Sequence, residues 1–411
     1  MPRFPIGFWN YSPIDVFDAS CVADWADAGM TLTMSPEFGP SPDHTRRMRE
    51  ILDAAQARDI RVILGHEHTY WPNLMRVGEE TYCRQFRKAL KDFGDHPAVF
   101  GFHVGDEPDT ANFAPACRAV RLLKDMAPRL SPFLNLLPWH PGCEPRVGFT
   151  EWNAYLDAYA EAARPDFLCY DCYSQMNPGT EGWDMYFKNL REFHEAAQRH
   201  GIPYWTTLLS VGHFRYRCPR EDDFRWQLNT AIAHGAKGIL YFFFYMRQPH
   251  ENYRVSPVDE HWERTETYEW LSRVNRTFLN WHAPVVQELT LERVSHVGKA
   301  WGGVAEHDGS GMVERAVSHC QTPLVVSEFR HANGSRYVAV VNNSQTDSSP
   351  AELRVRGRKP RLHRVGWKAC EEPAPSEDSW KYEGRDDGCL VRCWLAPGQM
   401  ELYRFDEAGA P

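Results

Sequence analysis

The chain has 411 residues, of which 43% are apolar and 25% charged, as in a globular protein with room for one large and one smaller domain. Its net charge of −9 argues against a nucleic-acid partner, which would need basic stripes. No apolar run approaches the ~18 residues of a membrane span, and the N-terminus lacks signal-peptide regions. We therefore expect a cytoplasmic protein that binds neither nucleic acid nor membrane, with its oligomeric state left open.

Up to residue 281, short apolar runs alternate with longer amphipathic runs, which is the pattern of successive βα units. The pattern predicts eight strands, over residues 4–11, 30–37, 61–68, 99–107, 130–138, 167–174, 204–211 and 238–245. A helix is predicted after each strand, over residues 14–27, 41–58, 79–93, 111–126, 151–163, 183–200, 221–234 and 267–281. Eight such units predict an α/β fold of the (β/α)8 TIM-barrel type spanning residues 1–282.

An open doubly wound sheet is the competing fold. It is disfavoured because no glycine-rich dinucleotide or phosphate loop follows any predicted strand. After residue 283 the chain changes to short alternating runs separated by Gly, Asn and Asp, for example over residues 294–304, 335–342 and 399–405. These runs predict a small C-terminal antiparallel β-sandwich domain over residues 283–411.

The stretch HPAVFGFHVGDEPD over residues 96–109 is the most informative part of the sequence. Its apolar run is typical of a strand buried on both faces. Pro108 cannot donate to a strand ladder, so the strand should end at the adjacent acids Asp106 and Glu107. Because barrel active sites lie at the C-terminal ends of the strands, these carboxylates are placed for chemistry. The structural alternative is that they cap a helix and pair with an arginine.

The residues at the other predicted strand ends should converge on the same pocket. They are mostly carboxylates, imidazoles, amides and aromatic rings. The candidates are Trp9, Asn10, Glu37, His66, Glu67, His68, Trp71, His103, Asn135, Trp139, Tyr170, Asp171, Tyr173, His213, Tyr241 and Tyr245, with Arg247 at the end of the eighth strand.

Paired carboxylates with aromatic rings are what the cleavage of a glycosidic bond requires. One acid protonates the leaving oxygen, and a second group attacks the anomeric carbon or activates water. Trp9, Trp71 and Trp139 are candidate rings for stacking on sugars. His66 and His68 share a strand face, but no third metal ligand is evident, so we expect them to bind hydroxyl groups. No metal or other cofactor is expected.

Residues 96–108, HPAVFGFHVGDEP, resemble the fourth strand of clan A (β/α)8 glycoside hydrolases, in which HPxxxGxxxxNEP carries the acid/base glutamate. The segments DFLCYDCYS and GAKGILYFFFY resemble the sixth and eighth strands of related barrels. The resemblance covers most of residues 1–281 and implies that Glu107 is the acid/base.

The sequence departs from the clan A pattern at two points. Asp106 replaces the asparagine that precedes the glutamate, and the seventh strand, YWTTLLSVG, has no nucleophilic glutamate. Three alternatives remain for the second catalytic group, which would act together with Glu107. Asp171 is favoured, because hydrogen bonds from Tyr170 and Tyr173 could keep it ionised. Glu37 or Glu67 could take the role. In the third, Asp106 and Glu107 act together, as in (β/α)8 hexosaminidases, where the aspartate orients a substrate acetamido group.

We therefore expect a glycoside hydrolase that acts on an oligosaccharide or glycoside. Glu107 is the expected general acid, with the charge of Asp106 favouring its protonated form, and Asp171 is the expected base or nucleophile. The alternatives are a barrel that binds carbohydrate without cleaving it, a substrate-assisted hexosaminidase-like enzyme using Asp106 and Glu107, and other barrel chemistry such as a metal-dependent hydrolase.

Overall fold

The computed structural model describes residues 3–246, 252–373, 381–384 and 386–407; the candidate Arg247 lies outside them. Its first eight strands alternate with helices, and each pairs only with parallel neighbours. They are β1 (Ile6–Phe8), β2 (Leu32–Phe38), β3 (Arg61–His66), β4 (Val99–Asp106), β5 (Ser131–Asn135), β6 (Leu168–Asp171), β7 (Tyr204–Leu209) and β8 (Ile239–Phe242). The predicted mixed α/β architecture with parallel strands is confirmed.

These strands form two four-stranded sheets, with the orders β1-β8-β7-β6 and β2-β3-β4-β5. Backbone hydrogen bonds join the two sheets at both edges. The Leu136 N–H donates to the Cys169 carbonyl at 2.8 Å, and the Thr31 N–H donates to the Ile6 carbonyl at 2.8 Å. The carboxyl ends of β4, β5 and β6 therefore lie side by side.

The helices that connect or follow these strands pack apolar faces against the sheets. They are α1 (Cys21–Asp27), α2 (Pro42–Gln56), α3 (Trp71–Val77), α4 (Glu79–Phe93), α5 (Phe113–Met126), α6 (Glu144–Val147), α7 (Trp152–Ala163), α8 (Trp183–His200), α9 (Glu221–Ala233), α10 (Glu266–Trp281) and α11 (Ala283–Val286). None of the helices among the described residues combines the length and apolarity that crossing a membrane requires.

Local sequence explains how these helices begin and what they bury. The Ser41 side chain accepts the His44 N–H at 3.1 Å, and Pro42 occupies the first helical position of α2, which suits a residue with no N–H. In α4, Tyr82, Phe86 and Phe93 recur at helical spacing and are buried, so this amphipathic face covers the sheet.

The C-terminal region consists of antiparallel strands, as the sequence predicts. They are β9 (Leu289–Val297), β10 (Val313–Ser318), β11 (Leu324–His331), β12 (Arg336–Asn342), β13 (Ser349–Arg356), β14 (Arg361–Val365), β15 (Glu371–Pro373), β16 (Lys381–Gly384), β17 (Gly388–Leu395) and β18 (Met400–Asp406). One sheet has the order β10-β13-β17-β16 and the other β15-β14-β18-β12-β11-β9. Buried side chains from both sheets, such as Val338 and Val391, share one apolar cluster.

Several predicted elements differ from the structure. The helix expected over residues 14–27 is a 3-10 turn (Ile14–Val16) followed by the shorter α1, and the strand expected over 294–304 is β9, which ends at Val297. Helices α3 and α6 were not anticipated. Both are short and have a proline in the first turn. Because proline is rare inside helices, residue propensity alone predicts a loop at such a segment.

The C-terminal strands pack directly on the helical layer of the first part of the chain. The Trp226 indole N–H of α9 donates to the Asn343 side-chain carbonyl at 2.8 Å, and the Ser327 hydroxyl of β11 donates to the Ala233 carbonyl at 2.7 Å. A continuous apolar cluster runs from the α/β region into β11, β12 and β18. The C-terminal strands are thus joined to the α/β region by buried contacts.

Candidate active site

The end of β4 is bent so that its two acids face the opening at the carboxyl ends of the strands. Gly105 has φ of +152°, and a Cβ there would lie 2.3 Å from the Trp71 Cδ1 atom. Trp71, the first residue of α3, therefore lies directly against the backbone that precedes Asp106. Glu107 has φ of +41°, and its N–H donates to the Asn135 carbonyl at 3.0 Å. Glycine is required at 105 both for conformation and for space.

Asn135 joins the two aspartates that the sequence placed on different strands. Strand register pairs Asp106 of β4 with Asn135 of β5. The Asn135 side-chain amide donates to Asp106 Oδ1 at 3.1 Å and to Asp171 Oδ1 at 2.7 Å. Because both oxygens contact one nitrogen, they lie within about 6 Å of each other. The carboxylates of β4 and β6 thus belong to one site.

The two aspartates have raised pKa values. The pKa of Asp106 is raised to about 7, first by burial and second by the charge of Glu107. Asp106 is reached by solvent at the opening, but protein surrounds its carboxylate, so desolvation remains the largest effect. The pKa of Asp171 is also raised, by burial and then by the charges of Glu107 and Asp106. At neutral pH this group of acids therefore retains a proton.

The electrostatics correct one sequence-based expectation. Tyr173 does hydrogen-bond Asp171, and this hydrogen bond by itself lowers the pKa of Asp171. Burial and two neighbouring acids outweigh that hydrogen bond, so the pKa of Asp171 is raised rather than lowered. Tyr170 cannot help, since its ring stacks on Phe193 of α8 with centroids 3.9 Å apart. The side chain thus lies on the opposite side of the strand.

Arg146 contacts Glu107 and was not singled out in the sequence. Its guanidinium donates to Glu107 Oε2 at 2.9 Å, with 50% of the Arg146 side chain and 29% of the Glu107 side chain exposed. The Arg146 carbonyl accepts the Thr110 N–H at 2.7 Å, which anchors α6 beside the loop after β4. The one sequence feature that could have pointed to Arg146 is the unusually long segment 139–150 after the fifth strand. The contact of this segment with the end of β4 is tertiary, so the sequence does not predict it.

Two candidates that follow β1 are buried at the carboxyl ends of the parallel strands. Trp9 is 2% exposed, and its indole N–H donates to the Thr207 hydroxyl at 3.2 Å. Its ring stacks on Tyr11, which is partly exposed, with centroids 5.8 Å apart. The Asn10 side-chain carbonyl accepts the Ser12 N–H at 3.1 Å. Both residues support the floor of the site.

His103 lies beneath the acids as a neutral imidazole. Burial lowers its pKa to about 4, so its Nε2–H can donate to the Gly105 carbonyl at 3.1 Å. The rings of Trp9, Tyr70 and Phe133 surround it. The hydrogen bond helps to fix the bend that presents Asp106.

Of the candidate residues in β2 and β3 and just after them, some are buried in the core and others are exposed. His66 is buried against Phe38, with centroids 5.0 Å apart, and burial lowers its pKa to about 3. Glu67 is exposed and lies 3.4 Å from His68 Nε2. Glu37 is exposed, and its charge contributes to the raised pKa of Tyr70. Among the described residues, no three His, Cys, Asp or Glu side chains form a group that could hold a metal ion.

Other candidates face the helical layer. The Tyr241 hydroxyl donates to the Asn275 side-chain carbonyl of α10 at 2.9 Å, and the Tyr245 hydroxyl accepts the Trp25 indole N–H at 2.8 Å. The Trp139 ring lies 4.6 Å from the Lys188 ammonium of α8. None of these contacts involves Asp106, Glu107 or Asp171.

An aromatic group lines the opposite wall of the site beside Asp171. Tyr173 stacks on Phe242 with centroids 5.4 Å apart, and His213 lies 5.8 Å from Tyr173 by the same measure. Burial lowers the pKa of His213 to about 4. Burial raises the pKa of Tyr216 to about 12, with Asp171 and Glu107 among the smaller causes. Tyr216 therefore belongs to the site, although no sequence pattern selects it.

Comparison with known proteins identifies the fold. No protein-family model matches the chain, and no curated protein matches it in sequence. Solved structures do match. A family 5 glycoside hydrolase from Bacteroides vulgatus ATCC 8482 has a TM-score of 0.61 and 13% identity, covering 100% of this chain and 91% of that one.

Two further structures give similar alignments. An Anoxybacillus alpha-amylase has a TM-score of 0.55 and 11% identity, covering 99% of this chain and 98% of that one. A family 39 glycoside hydrolase from Bacteroides cellulosilyticus WH2 has a TM-score of 0.52 and 14% identity, covering 98% and 81%. At such identities the likeness concerns the fold alone, and this chain shares its fold with these three structures.

Proposed function

We propose that this protein hydrolyses glycosidic bonds. The observation that carries the proposal is the meeting of Asp106, Glu107 and Asp171 at the carboxyl ends of β4 and β6, with Asn135 of the intervening β5 joining the two aspartates. Such a group provides both a proton donor and an anionic partner in one site, which acid/base cleavage of a glycoside requires.

In the proposed mechanism the proton that the group retains is on Glu107 once substrate is bound, which leaves Asp171 ionised. Glu107 then protonates the leaving oxygen, and Asp171 acts as the base or nucleophile across the site. Arg146 pairs with Glu107 before substrate binds, so Glu107 must leave this ion pair as the substrate enters. Asp106, whose pKa is about 7, can hold the proton close to Glu107 until then. The remaining charge of the group stabilises the cationic transition state.

The proposal includes a closed (β/α)8 barrel over residues 1–282 and a β-sandwich over 283–411. Barrel closure is supported by the hydrogen bonds that connect β5 with β6 and β1 with β2. The sandwich is supported by the apolar cluster shared between the two antiparallel sheets. The expected carbohydrate substrate would meet Trp71, Asn135, Tyr173 and His213.

A substrate-assisted mechanism is the second candidate. Strand β7 (Tyr204–Leu209) carries no carboxylate, while Asp106 directly precedes Glu107. In this mechanism Asp106 would orient a 2-acetamido group of the substrate, which would itself attack the anomeric carbon. A requirement for a 2-acetamido sugar distinguishes it from the two-carboxylate mechanism.

Hydrolysis of a panel of aryl glycosides tests the proposal. The panel should pair common neutral sugars with their 2-acetamido counterparts, in both anomeric forms, and product release should be followed by absorbance. We expect turnover of at least one member. If the folded protein binds sugars but releases no product from any member, it is a carbohydrate-binding barrel and the proposal is wrong.

Replacing Arg146 should move the pH dependence of activity in a defined direction. Asp106 loses its proton with a pKa of about 7, and with it the site loses a proton held close to Glu107, so kcat/KM should fall on the alkaline side. The Arg146 charge lowers the pKa of Asp106, and Arg146→Met removes that charge. The alkaline limb should therefore move to higher pH.

The matched control is Arg146→Lys, which keeps the positive charge and should leave the limb near its original position. Profiles of kcat/KM against pH for the three proteins provide the measurement. If the alkaline limb moves to lower pH in Arg146→Met, or moves equally in both variants, the Arg146 charge does not lower the pKa of Asp106 and the prediction is wrong.

A further inference from the structure

A groove separate from the carboxylate site lies between the start of α8 and the loops of the C-terminal β region. Its volume is about 670 Å³, within the range of roughly 300–1,000 Å³ that is usual for ligand sites. It is lined by two indoles, one ammonium and several side-chain amides and hydroxyls. The lining includes Trp183, Lys299, Trp301, Asn343, Gln345 and Thr346.

The two indoles form a partly exposed aromatic surface on a rigid support. Trp183 and Trp301 have centroids 4.8 Å apart at an angle of 44°, and Trp183 also packs on the buried Trp226 at 4.9 Å. Both groove indoles remain partly exposed. The Lys299 ammonium lies 5.0 Å from the Trp301 centroid. Rings held in this way offer an apolar area at small entropic cost.

The polar wall of the groove is also ordered before any ligand binds. Residues 343–348 connect β12 to β13, and the Ser344 hydroxyl accepts the N–H groups of Thr346 at 3.2 Å and Asp347 at 3.0 Å. The Asn343 carbonyl is held by the Trp226 indole N–H. Within the described part of the chain, the Asn343 and Gln345 side-chain amide nitrogens have no hydrogen-bond partner.

The groove is connected to the carboxylate site by two short paths. The Gln345 side-chain carbonyl accepts a hydrogen bond from Arg217 at 3.4 Å, and Arg217 directly follows Tyr216 of the aromatic wall. On the second path, the Gly182 N–H donates to the Ser174 carbonyl at 2.8 Å. Since Ser174 is three residues from Asp171, and Gly182 precedes Trp183, the Cα atoms of Asp171 and Trp183 lie within about 20 Å.

We propose that this groove is a second glycan-binding site, which holds a neutral part of a long oligosaccharide or polysaccharide whose other part enters the carboxylate site. Indole faces match the apolar C–H faces of sugar rings, and amides and hydroxyls match their hydroxyl groups. The charged lining residues are Lys299 and the two acids Glu181 and Asp347, a net charge of −1, so the lining disfavours an anionic ligand and suits a neutral one. The ligand class rests on the proposed function.

Affinity electrophoresis in gels that contain soluble neutral polysaccharides tests binding. The probes are xylan, mixed-linkage β-glucan, galactan and mannan. We expect at least one to retard the wild-type protein, and the double variant Trp183→Ala/Trp301→Ala to lose about tenfold in affinity. The control is Trp394→Ala, which removes an exposed indole from β17 outside the groove and should keep wild-type retardation.

Kinetics on substrates of different length separates this proposal from the proposed function. Hydrolysis of a short aryl glycoside tests the carboxylate site. The ratio of kcat/KM on a long chain to kcat/KM on the aryl glycoside should fall in the double variant but not in Trp394→Ala. The conservative variant Trp183→Phe/Trp301→Phe should restore part of the ratio and exclude simple misfolding.

Two results would overturn the second site. One is a wild-type protein that none of the polysaccharides retards, and the other is a double variant, folded by its thermal melting curve, with unchanged retardation and ratio. If the protein still hydrolyses an aryl glycoside in either case, the proposed function stands and only the second site is lost. If a polysaccharide retards the protein but no glycoside is hydrolysed, the second site stands and the proposed function is lost.

Discussion

Glu107→Gln is expected to lower kcat/KM on an unactivated glycoside by about 1,000-fold, because a positioned general acid contributes roughly 10² to 10⁴ in rate. The amide has nearly the shape of the carboxylic acid but cannot give up a proton to the leaving oxygen. The fold should persist, since Glu107 lies at a partly exposed strand end.

Leaving-group chemistry makes this prediction specific to the acid role. A glycoside with a strongly acidic leaving group, such as a dinitrophenolate, departs without protonation, so Glu107→Gln should lose far less activity on it. The matched control is Glu144→Gln, at an exposed position of α6, which should behave as wild type on both substrates. A fully active Glu107→Gln protein would eliminate Glu107 as the acid.

Asp171→Asn is expected to lower kcat/KM by about 10,000-fold on unactivated and activated glycosides alike. Asp171 is proposed to attack the anomeric carbon or to activate water, and a better leaving group replaces neither action. If Asp171 is the nucleophile, added azide should restore turnover and give a glycosyl azide of inverted configuration. The configuration of the wild-type product separates the two roles, because a nucleophile gives retention and the base of an inverting enzyme gives inversion.

The same variant has an expected signature in stability. The native pKa of Asp171 is raised above the ordinary 3.8, so unfolding releases a proton and wild-type stability falls as pH rises above that value. Asparagine does not titrate, so it adds no such pH dependence to the free energy of unfolding. The melting temperature of Asp171→Asn should therefore equal or exceed that of wild type at neutral pH, with the difference shrinking in acid.

Unchanged activity together with unchanged stability would remove Asp171 from the site altogether. Loss of activity accompanied by a lower melting temperature would instead indicate damage to the hydrogen bond with Asn135. Asn135→Asp gives a direct comparison, since it would remove the amide that both aspartates contact and add a further acid beside Asp106 and Asp171, whose pKa values are already raised.

The sequence alone was sufficient for the elements whose signals are local. Pro108 predicts where β4 ends, and the apolar run before it predicts a buried strand, so the position of Asp106 and Glu107 could be predicted. The change from helical to alternating patterns near residue 283 likewise predicts the antiparallel C-terminal strands. These features depend on residues close in the chain, where backbone preference and burial period act directly.

The tertiary structure decided which candidates share the site. In strands buried on both faces nearly every residue is apolar or aromatic, so the sequence does not reveal which side chains point inward. Tyr170, Tyr241 and Tyr245 proved to face the helices. Arg146 reaches Glu107, and Asn135 joins Asp106 to Asp171, only because β4, β5 and β6 lie adjacent in register. Such contacts link residues 29 to 39 positions apart, and no local pattern encodes them.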